Sequence, residues 1–150
     1  MIHLGITIEQ IEEQCIKMKK EKNIELVVID YLQLIAGSEG RKNISREQEI
    51  EEITLRLKQL SKKLNIPIIT TLTLSTIPNI RENHKPKITD ISESIVSKSV
   101  VEIADTIMLL YRDDYYNIDS KKTNTAEVII AKNKTGDNGT IELLNNGDEK

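Results

Sequence analysis

Leu26-Val27-Val28-Ile29-Asp30-Tyr31-Leu32-Gln33-Leu34-Ile35 is a mostly apolar run broken by one carboxylate and one amide. Four aliphatic residues in a row, three of them β-branched, predict a strand buried on both faces, as in a parallel sheet covered by helices. Asp30 then stands at the carboxyl end of that strand, where open α/β sheets gather their ligands. A nucleotide-hydrolysing domain uses an acid in that position to hold Mg²⁺ through water. The same residue type also caps turns and helices, so Asp30 alone leaves both readings open.

Upstream, Thr7-Ile8-Glu9-Gln10 reads as a capping box at the start of a helix. Ile8, Ile11, Cys15 and Met18 follow at helical spacing and predict one apolar, core-facing stripe. Lys17 to Lys22 form a basic helix end, favourable near the negative pole of the helix dipole. Downstream, residues 37–43 are a loop by composition, and Ser45-Arg46-Glu47-Gln48 is a second capping box. Ile50, Ile53, Leu57, Leu60 and Leu64, spaced three, four, three and four apart, predict a long amphipathic helix that Asn65 ends. Pro67 leads into a second strand, Ile68 to Leu72. Residues 75–98 lack a sustained period and predict a long loop with one short helix. Thr106 to Tyr111 reads as a third strand, and Arg112 to Asn124 as a polar turn region. Ala126–Lys132 and Thr140–Leu144 read as two strands of a hairpin, joined by the Gly- and Asn-containing stretch 133–139.

The chain has 150 residues, enough for one domain with a substantial core, and no repeat or linker divides it. With no Trp, no Phe and four Tyr, the core must be built from Ile, Leu and Val. A net charge of −3 argues against a surface dominated by nucleic-acid affinity but leaves room for a local basic stripe. Cys15 is the single cysteine, and with His3 and His84 it makes no metal-ligand spacing. No apolar run has the length of a membrane span, and the first residues do not resemble a signal peptide. The expectation is therefore a cytoplasmic protein without a membrane partner.

Six segments, taken in order, resemble the motor domain of DnaB-type replicative DNA helicases. Val28 to Ile35 resembles the family's Walker B strand, and Ser45-Arg46-Glu47-Gln48-Glu49-Ile50 its NRQQEI-type helix start. Leu60 to Ile69 resembles the helix-to-strand segment that follows. Asp90-Ile91-Ser92-Glu93-Ser94 is similar to a DLRES loop, Tyr111 to Tyr116 to the YRDDYY marker, and Ala131 to Gly136 to AKQRNG. The resemblance covers about residues 5–144. It implies that residues 1–150 form a single partial domain of the α/β class. The implied fold is a RecA-like P-loop NTPase fold, with a mostly parallel sheet flanked by helices and a C-terminal β-hairpin. The family's activity is ATP-dependent DNA unwinding in DNA replication, performed by a hexameric ring around one DNA strand, with ATP and Mg²⁺ as cofactors.

The resemblance also implies roles residue by residue. Asp30 takes the Walker B position and would hold Mg²⁺ through water once a triphosphate is presented. Thr73 stands where the family has a γ-phosphate-sensing Gln, and a Thr hydroxyl is too short to take over that reach. Lys132 and Lys134 occupy the positions that act in trans on a neighbouring subunit. Lys134 replaces the arginine finger, keeping its charge but losing the planar bidentate fork. Arg46, Ser92, Glu93 and Ser94 fall on DNA-facing positions, with Ser92 in place of an Arg, so only weak, salt-sensitive binding to single-stranded DNA is expected. No G-x-x-x-x-G-K-[ST] occurs in these 150 residues. Without that phosphate cradle, and with a finger that can be worth roughly 10³ to 10⁵ in rate reduced to a lysine, the expectation is no ATPase from this chain alone.

Two functions of different class therefore stand side by side. One is a portion of a helicase motor. The other is a non-catalytic module that docks onto an intact helicase subunit or onto DNA. In RecA-like folds the P-loop strand lies between the two strands that here are 68–72 and 106–111. In its absence those two strands are expected to close up on each other, unless another chain fills the slot.

Overall fold

Thr7 and Ser45 start the two long helices in the same way. Each side chain accepts a hydrogen bond from the amide three residues on, and the cap residue's own amide donates to the side-chain Oε1 of the Gln there (Gln10, Gln48). The helices that follow are α1 (Ile8–Lys22) and α2 (Arg46–Leu64). Both stop at an asparagine in the left-handed region, Asn23 at φ 48° and Asn65 at φ 51°. Asn tolerates that conformation better than other non-glycine residues. The structure is a computed structural model that describes residues 5–37, 44–74, 84–92 and 98–144.

The remaining elements are β1 (Val27–Ile29), a 3₁₀ turn (Leu32–Leu34), β2 (Ile68–Thr70), α3 (Ile88–Ser92), α4 (Lys98–Ile103), β3 (Thr106–Tyr111), α5 (Asp113–Tyr116), β4 (Thr125–Asn133) and β5 (Gly139–Leu144). β1 and β2 pair in parallel, Val27 opposite Ile68 and Ile29 opposite Thr70. β3, β4 and β5 form a separate antiparallel sheet in that order. Leu110 lies opposite Val128, and Val128 opposite Ile141. The fold is thus α/β, with a parallel pair and a C-terminal hairpin, as the RecA-like resemblance requires.

One buried cluster ties these parts together. Ile8, Ile11 and Cys15 of α1 and Ile50, Ile53, Leu57 and Leu60 of α2 meet Ile29, Leu32 and Ile35, and on the other side Val100, Ile107 and Leu109. Arg56 adds a polar clasp between the helices, its Nε donating to Glu12 Oε1 at 3.0 Å and its Nη1 pairing with Glu9. These two carboxylates push the guanidinium pKa further up, Glu12 contributing most.

Four expectations change. Met18 is 42% exposed, so the apolar stripe of α1 ends at Cys15, whose thiol pKa burial raises. β1 is covered on one face only: Ile29 is buried, but Val28 is 56% exposed because the helices pack on the other side. The 112–124 region contains the short helix α5. Finally, β2 and β3 do not close up on each other. They lie in different sheets, each anchored by its own inward side chains, Ile68 on one and Ile107 and Leu109 on the other. The stretch 75–98 holds α3 and the start of α4, while residues 75–83 and 93–97 lie outside the described residues.

Candidate active site

β1 and β2 run parallel, so their carboxyl ends lie side by side and bring Asp30 next to Thr71. The Thr71 hydroxyl donates to Asp30 Oδ1. The backbone continues the link, with Thr71 N donating to Ile29 O at 3.1 Å and Leu32 N to Thr71 O at 2.9 Å. Asp30 itself is exposed, and the Asp30–Tyr31 peptide is cis. A step further out, Gln33 Nε2 donates to Thr73 O at 3.0 Å and to Thr73 Oγ1 at 3.2 Å, while Thr73 N donates to Gln33 Oε1 at 3.4 Å. Thr73 is therefore held against the loop that follows β1.

Thr71 and Gln33 were not singled out from the sequence. Gln33 sits inside the decisive apolar run, where an amide is out of place unless it has a partner, and that was the available signal. Thr71 gave none, because its role depends on the parallel register.

Arg46 opens α2 and reaches back to the same loop. Its Nη2 donates to Gln33 O at 2.8 Å and Ile35 O at 3.1 Å, and its Nη1 pairs with Glu49. Gly37 N donates to Glu49 Oε1 at 2.5 Å. Burial works to raise the Glu49 pKa, but the Arg46 and Gly37 hydrogen bonds outweigh it and hold the carboxyl low. A Cβ at Gly37 would stand 2.6 Å from Glu49 Cγ, so a larger residue there would displace the Glu49 side chain from its hydrogen bond. Arg46, expected at a DNA-facing position, thus has a task within the chain: it fixes the exit of the loop after β1 to the first turn of α2.

Lys132 and Lys134, expected to act in trans, are engaged within the chain. Lys132 Nζ donates to the carbonyls of Val101 at 2.5 Å and Glu102 at 3.0 Å, near the end of α4, where a cation meets the negative helix pole. Lys134 Nζ lies 3.2 Å from Asp105 Oδ1, and Lys58 pairs with the other oxygen. Hydrogen bonds from Lys58 and then Lys134 lower the Asp105 pKa. The structure does not bring Lys132 or Lys134 into contact with Asp30 or Thr73. Ser92 is the last residue of α3, and Glu93 and Ser94 lie outside the described residues.

Tyr111 to Tyr116 form a second polar centre at the end of β3. The Tyr111 hydroxyl donates to Asp113 Oδ1 at 2.8 Å, and Ser120 Oγ donates to Asp113 Oδ2 at 2.5 Å. Arg112 binds Asp114 through Nε at 3.1 Å and Nη2 at 3.2 Å, and Asn124 N donates to Asp114 Oδ2 at 3.0 Å. Glu127, 5% exposed, takes Lys85 on one oxygen and Lys122 on the other, at 3.0 Å for Lys122. Lys85 and then Lys122 draw the Glu127 pKa down, and burial followed by the Asp113 hydrogen bond pushes Tyr111 up to about 12. Tyr111, Asp113, Lys85, Lys122 and Glu127 are among the residues that line a cavity of about 620 Å³.

A sequence profile of the DnaB-like helicase C terminal domain matches residues 3–149. The chain belongs to that family. The DnaB-like chain is 43% identical over 139 residues to the replicative DNA helicase DnaB of Geobacillus stearothermophilus, and 40% identical over 139 residues to the replicative DNA helicase DnaC of Bacillus subtilis (strain 168). Each match covers 93% of this chain and 30% of the relative, so the chain spans about a third of their length. Its fold matches the solved ATPase domain of G40P with a TM-score of 0.85 and 34% identity, over 93% of this chain and 48% of that one. It also matches a DnaB-like replicative helicase, described with its interactions with primase, at a TM-score of 0.87 and 34% identity.

Among the described residues no group of three or more His, Cys, Asp or Glu side chains is placed to hold a metal ion. Asp30 and the Thr71 hydroxyl do suit Mg²⁺ in one way. An exposed carboxylate can bind the ion's water shell, provided phosphate oxygens supplied from elsewhere complete the octahedron. Among the described residues no helix is long and apolar enough to cross a membrane.

Proposed function

We propose that this DnaB-like chain is a portion of a replicative-helicase motor whose parent activity is ATP-driven DNA unwinding in the cytoplasm, and that it does not turn over ATP by itself. The supporting observation is the pairing of Asp30 with Thr71 at the joined carboxyl ends of β1 and β2. That arrangement presents one carboxylate for a water-shelled Mg²⁺, which supplies charge neutralisation on a triphosphate when both are bound. It presents no cradle for the phosphates. Within a ring of helicase subunits, Lys132 and Lys134 would have to release Val101, Glu102 and Asp105 to reach a neighbour's nucleotide. Arg46, Ser92, Glu93 and Ser94 would give weak contact to single-stranded DNA, falling steeply with salt.

The test is a chimaera in which this chain replaces the matching 139 residues of the Geobacillus stearothermophilus DnaB. ATP hydrolysis is expected, slower than in the parent, raised by joint Thr73→Gln and Lys134→Arg, and abolished by Asp30→Asn. A chimaera indifferent to Asp30→Asn overturns the reading. So does magnesium-dependent turnover by the isolated chain.

The retention of Lys132 and Lys134 on this chain's own α4 and Asp105 favours a second reading. In that reading the chain docks onto an intact helicase subunit without catalysis. It predicts co-purification with that subunit, and no gain in ATP turnover from the joint Thr73→Gln and Lys134→Arg change.

A further inference from the structure

Asn138 and Gly139 stand where the hairpin connection meets β5. Asn-Gly is the strongest short-range hairpin signal, and the two-residue turn it favours puts both residues at positive φ. Here the pair has no such task. Residues 134–138 separate the end of β4 from the start of β5, and neither Asn138 nor Gly139 has a positive φ. A Cβ built on Gly139 meets nothing within 4 Å, so close approach does not require glycine either. What the pair offers is chemistry. Both residues are exposed, and among the described residues the Asn138 carboxamide makes one hydrogen bond, Nδ2 donating to Ala131 O at 3.3 Å. The other asparagines of the described residues precede bulkier neighbours: Ile after Asn23, Asn65 and Asn117, Thr after Asn124, Lys after Asn133. Only Asn138 there precedes a main-chain nitrogen with no side chain beside it.

We propose that Asn138–Gly139 is a covalent modification site, which deamidates without an enzyme through a cyclic imide. The Gly139 nitrogen gives its proton to solvent base and attacks Asn138 Cγ. A C–N bond forms, the Cγ–Nδ2 bond breaks, and Nδ2 takes up a proton and leaves as ammonia. Water then opens the ring at either carbonyl, its hydroxyl joining the carbon and its remaining proton the nitrogen. The products are an aspartate, or an isoaspartate whose main chain runs through Cβ and Cγ. No oxidant or reductant is needed, and water is the co-reactant. A carboxylate at 138 accepts but does not donate, so the bond to Ala131 O is lost and two acceptors face each other. Isoaspartate also adds a methylene to the main chain just before the rung that pairs Gly139 with Ile130. Both changes loosen the connection that begins at Lys134, whose amide donates to Asp105 O at 3.0 Å. The proposal stands apart from the motor reading, since it needs these two residues and water alone.

The experiment incubates the full chain at neutral and at mildly alkaline pH, folded and unfolded in urea. Peptide mass spectrometry reads the exchange of amide for acid at each asparagine. A carboxyl methyltransferase with labelled S-adenosylmethionine counts the isoaspartate. Product at Asn138 is expected to grow with time, and faster at the higher pH because the deprotonated amide is the nucleophile. Its folded-state rate should lie within roughly tenfold of the unfolded one, since a connection outside the ladders opens at little cost. Gly139→Ala is expected to lose most of the product with circular dichroism unchanged, because its Cβ enters open space but crowds the attacking nitrogen. Asn138→Asp carries the charge without the methylene, and should speed amide exchange at Ile130 and Gly139 less than the isoaspartate fraction does. Equal product in Gly139→Ala overturns the proposal, as does a folded rate far below the unfolded one. Product confined to Asn146–Gly147, the other Asn-Gly pair, which lies outside the described residues, overturns it too. An isoaspartate fraction with the parent's amide exchange overturns the effect on the Lys134 connection.

Discussion

β1–β2 and β3–β4–β5 present the same kind of open apolar face but are held in different ways. The parallel pair has three paired positions, too few to stand alone, and relies on Leu32, Ile35 and the helix residues Ile50 and Ile53 behind it. Its ends are stitched by polar links that span 40 residues of sequence, Gln33 to Thr73, and 41, Thr71 to Asp30. The hairpin sheet has six paired positions at each interface and its own polar lock, Lys85–Glu127–Lys122, at one end. The contrast shows where this chain depends on long-range packing. The β1–β2 end does so throughout, while β3–β5 has longer ladders between strands near in sequence and takes one long-range polar partner, Lys85, 42 residues from Glu127.

That contrast can be broken most sharply at Leu32, which is fully buried behind the end of β1. Leu32→Ala is expected to cost about 2–5 kcal/mol, from lost burial and the cavity left behind. Urea unfolding measures it, and a loss near zero would mean that β1 does not lean on the core. On the other side, Glu127→Gln should cost about 1.5–3 kcal/mol, the range for hydrogen bonds to charged groups, with faster amide exchange in β3–β5 and none in β1–β2.

The Glu127 lock also predicts a pH dependence. Its folded pKa lies below the ordinary carboxylate value because Lys85 and Lys122 favour the ionised form. Its contribution is therefore complete above about pH 4.3, the unfolded value, and is lost as pH falls through the lowered folded one. Urea midpoints compared at pH 7 and pH 3.5 should fall less for Glu127→Gln than for the parent.

A smaller effect tests whether α2 serves both sheets. Ser45→Ala removes the side-chain acceptor for Gln48 N and should cost about 1 kcal/mol. Loosened exchange around Arg46 and Gln33 is the expected signature. Smallest of all, Leu110→Ser on the exposed face should shift the stability of the isolated chain by less than about 0.5 kcal/mol. A large loss there would show that the face is already covered within the chain.

Much of this was legible beforehand because the signals are short-range. Both capping boxes and the helix-ending Asn65 lie within a few residues of the helices they bound. The period of Ile50, Ile53, Leu57 and Leu60 names the buried face of α2 directly. The motif order from Asp30 through Tyr111 to Lys134 pointed to the family that the comparisons then established. Reading failed where the answer depended on what lies across space. Val28 was expected to be buried because β-branched runs usually are, yet it is open because the helices cover only one side. For Arg46, expected at a DNA-facing position, no local pattern showed that its guanidinium binds Gln33, Ile35 and Glu49.

What the sequence alone determined, then, is where the two long helices and the five strands lie and which family their motifs belong to. Capping, periodicity and turn chemistry act between residues a few positions apart. Only the tertiary structure decided that β2 and β3 do not pair with each other, that Gln33 grips Thr73, and that Lys132 and Lys134 are held at home by α4 and Asp105. Those outcomes depend on which groups meet once the chain has folded back on itself, and no local pattern encodes that meeting.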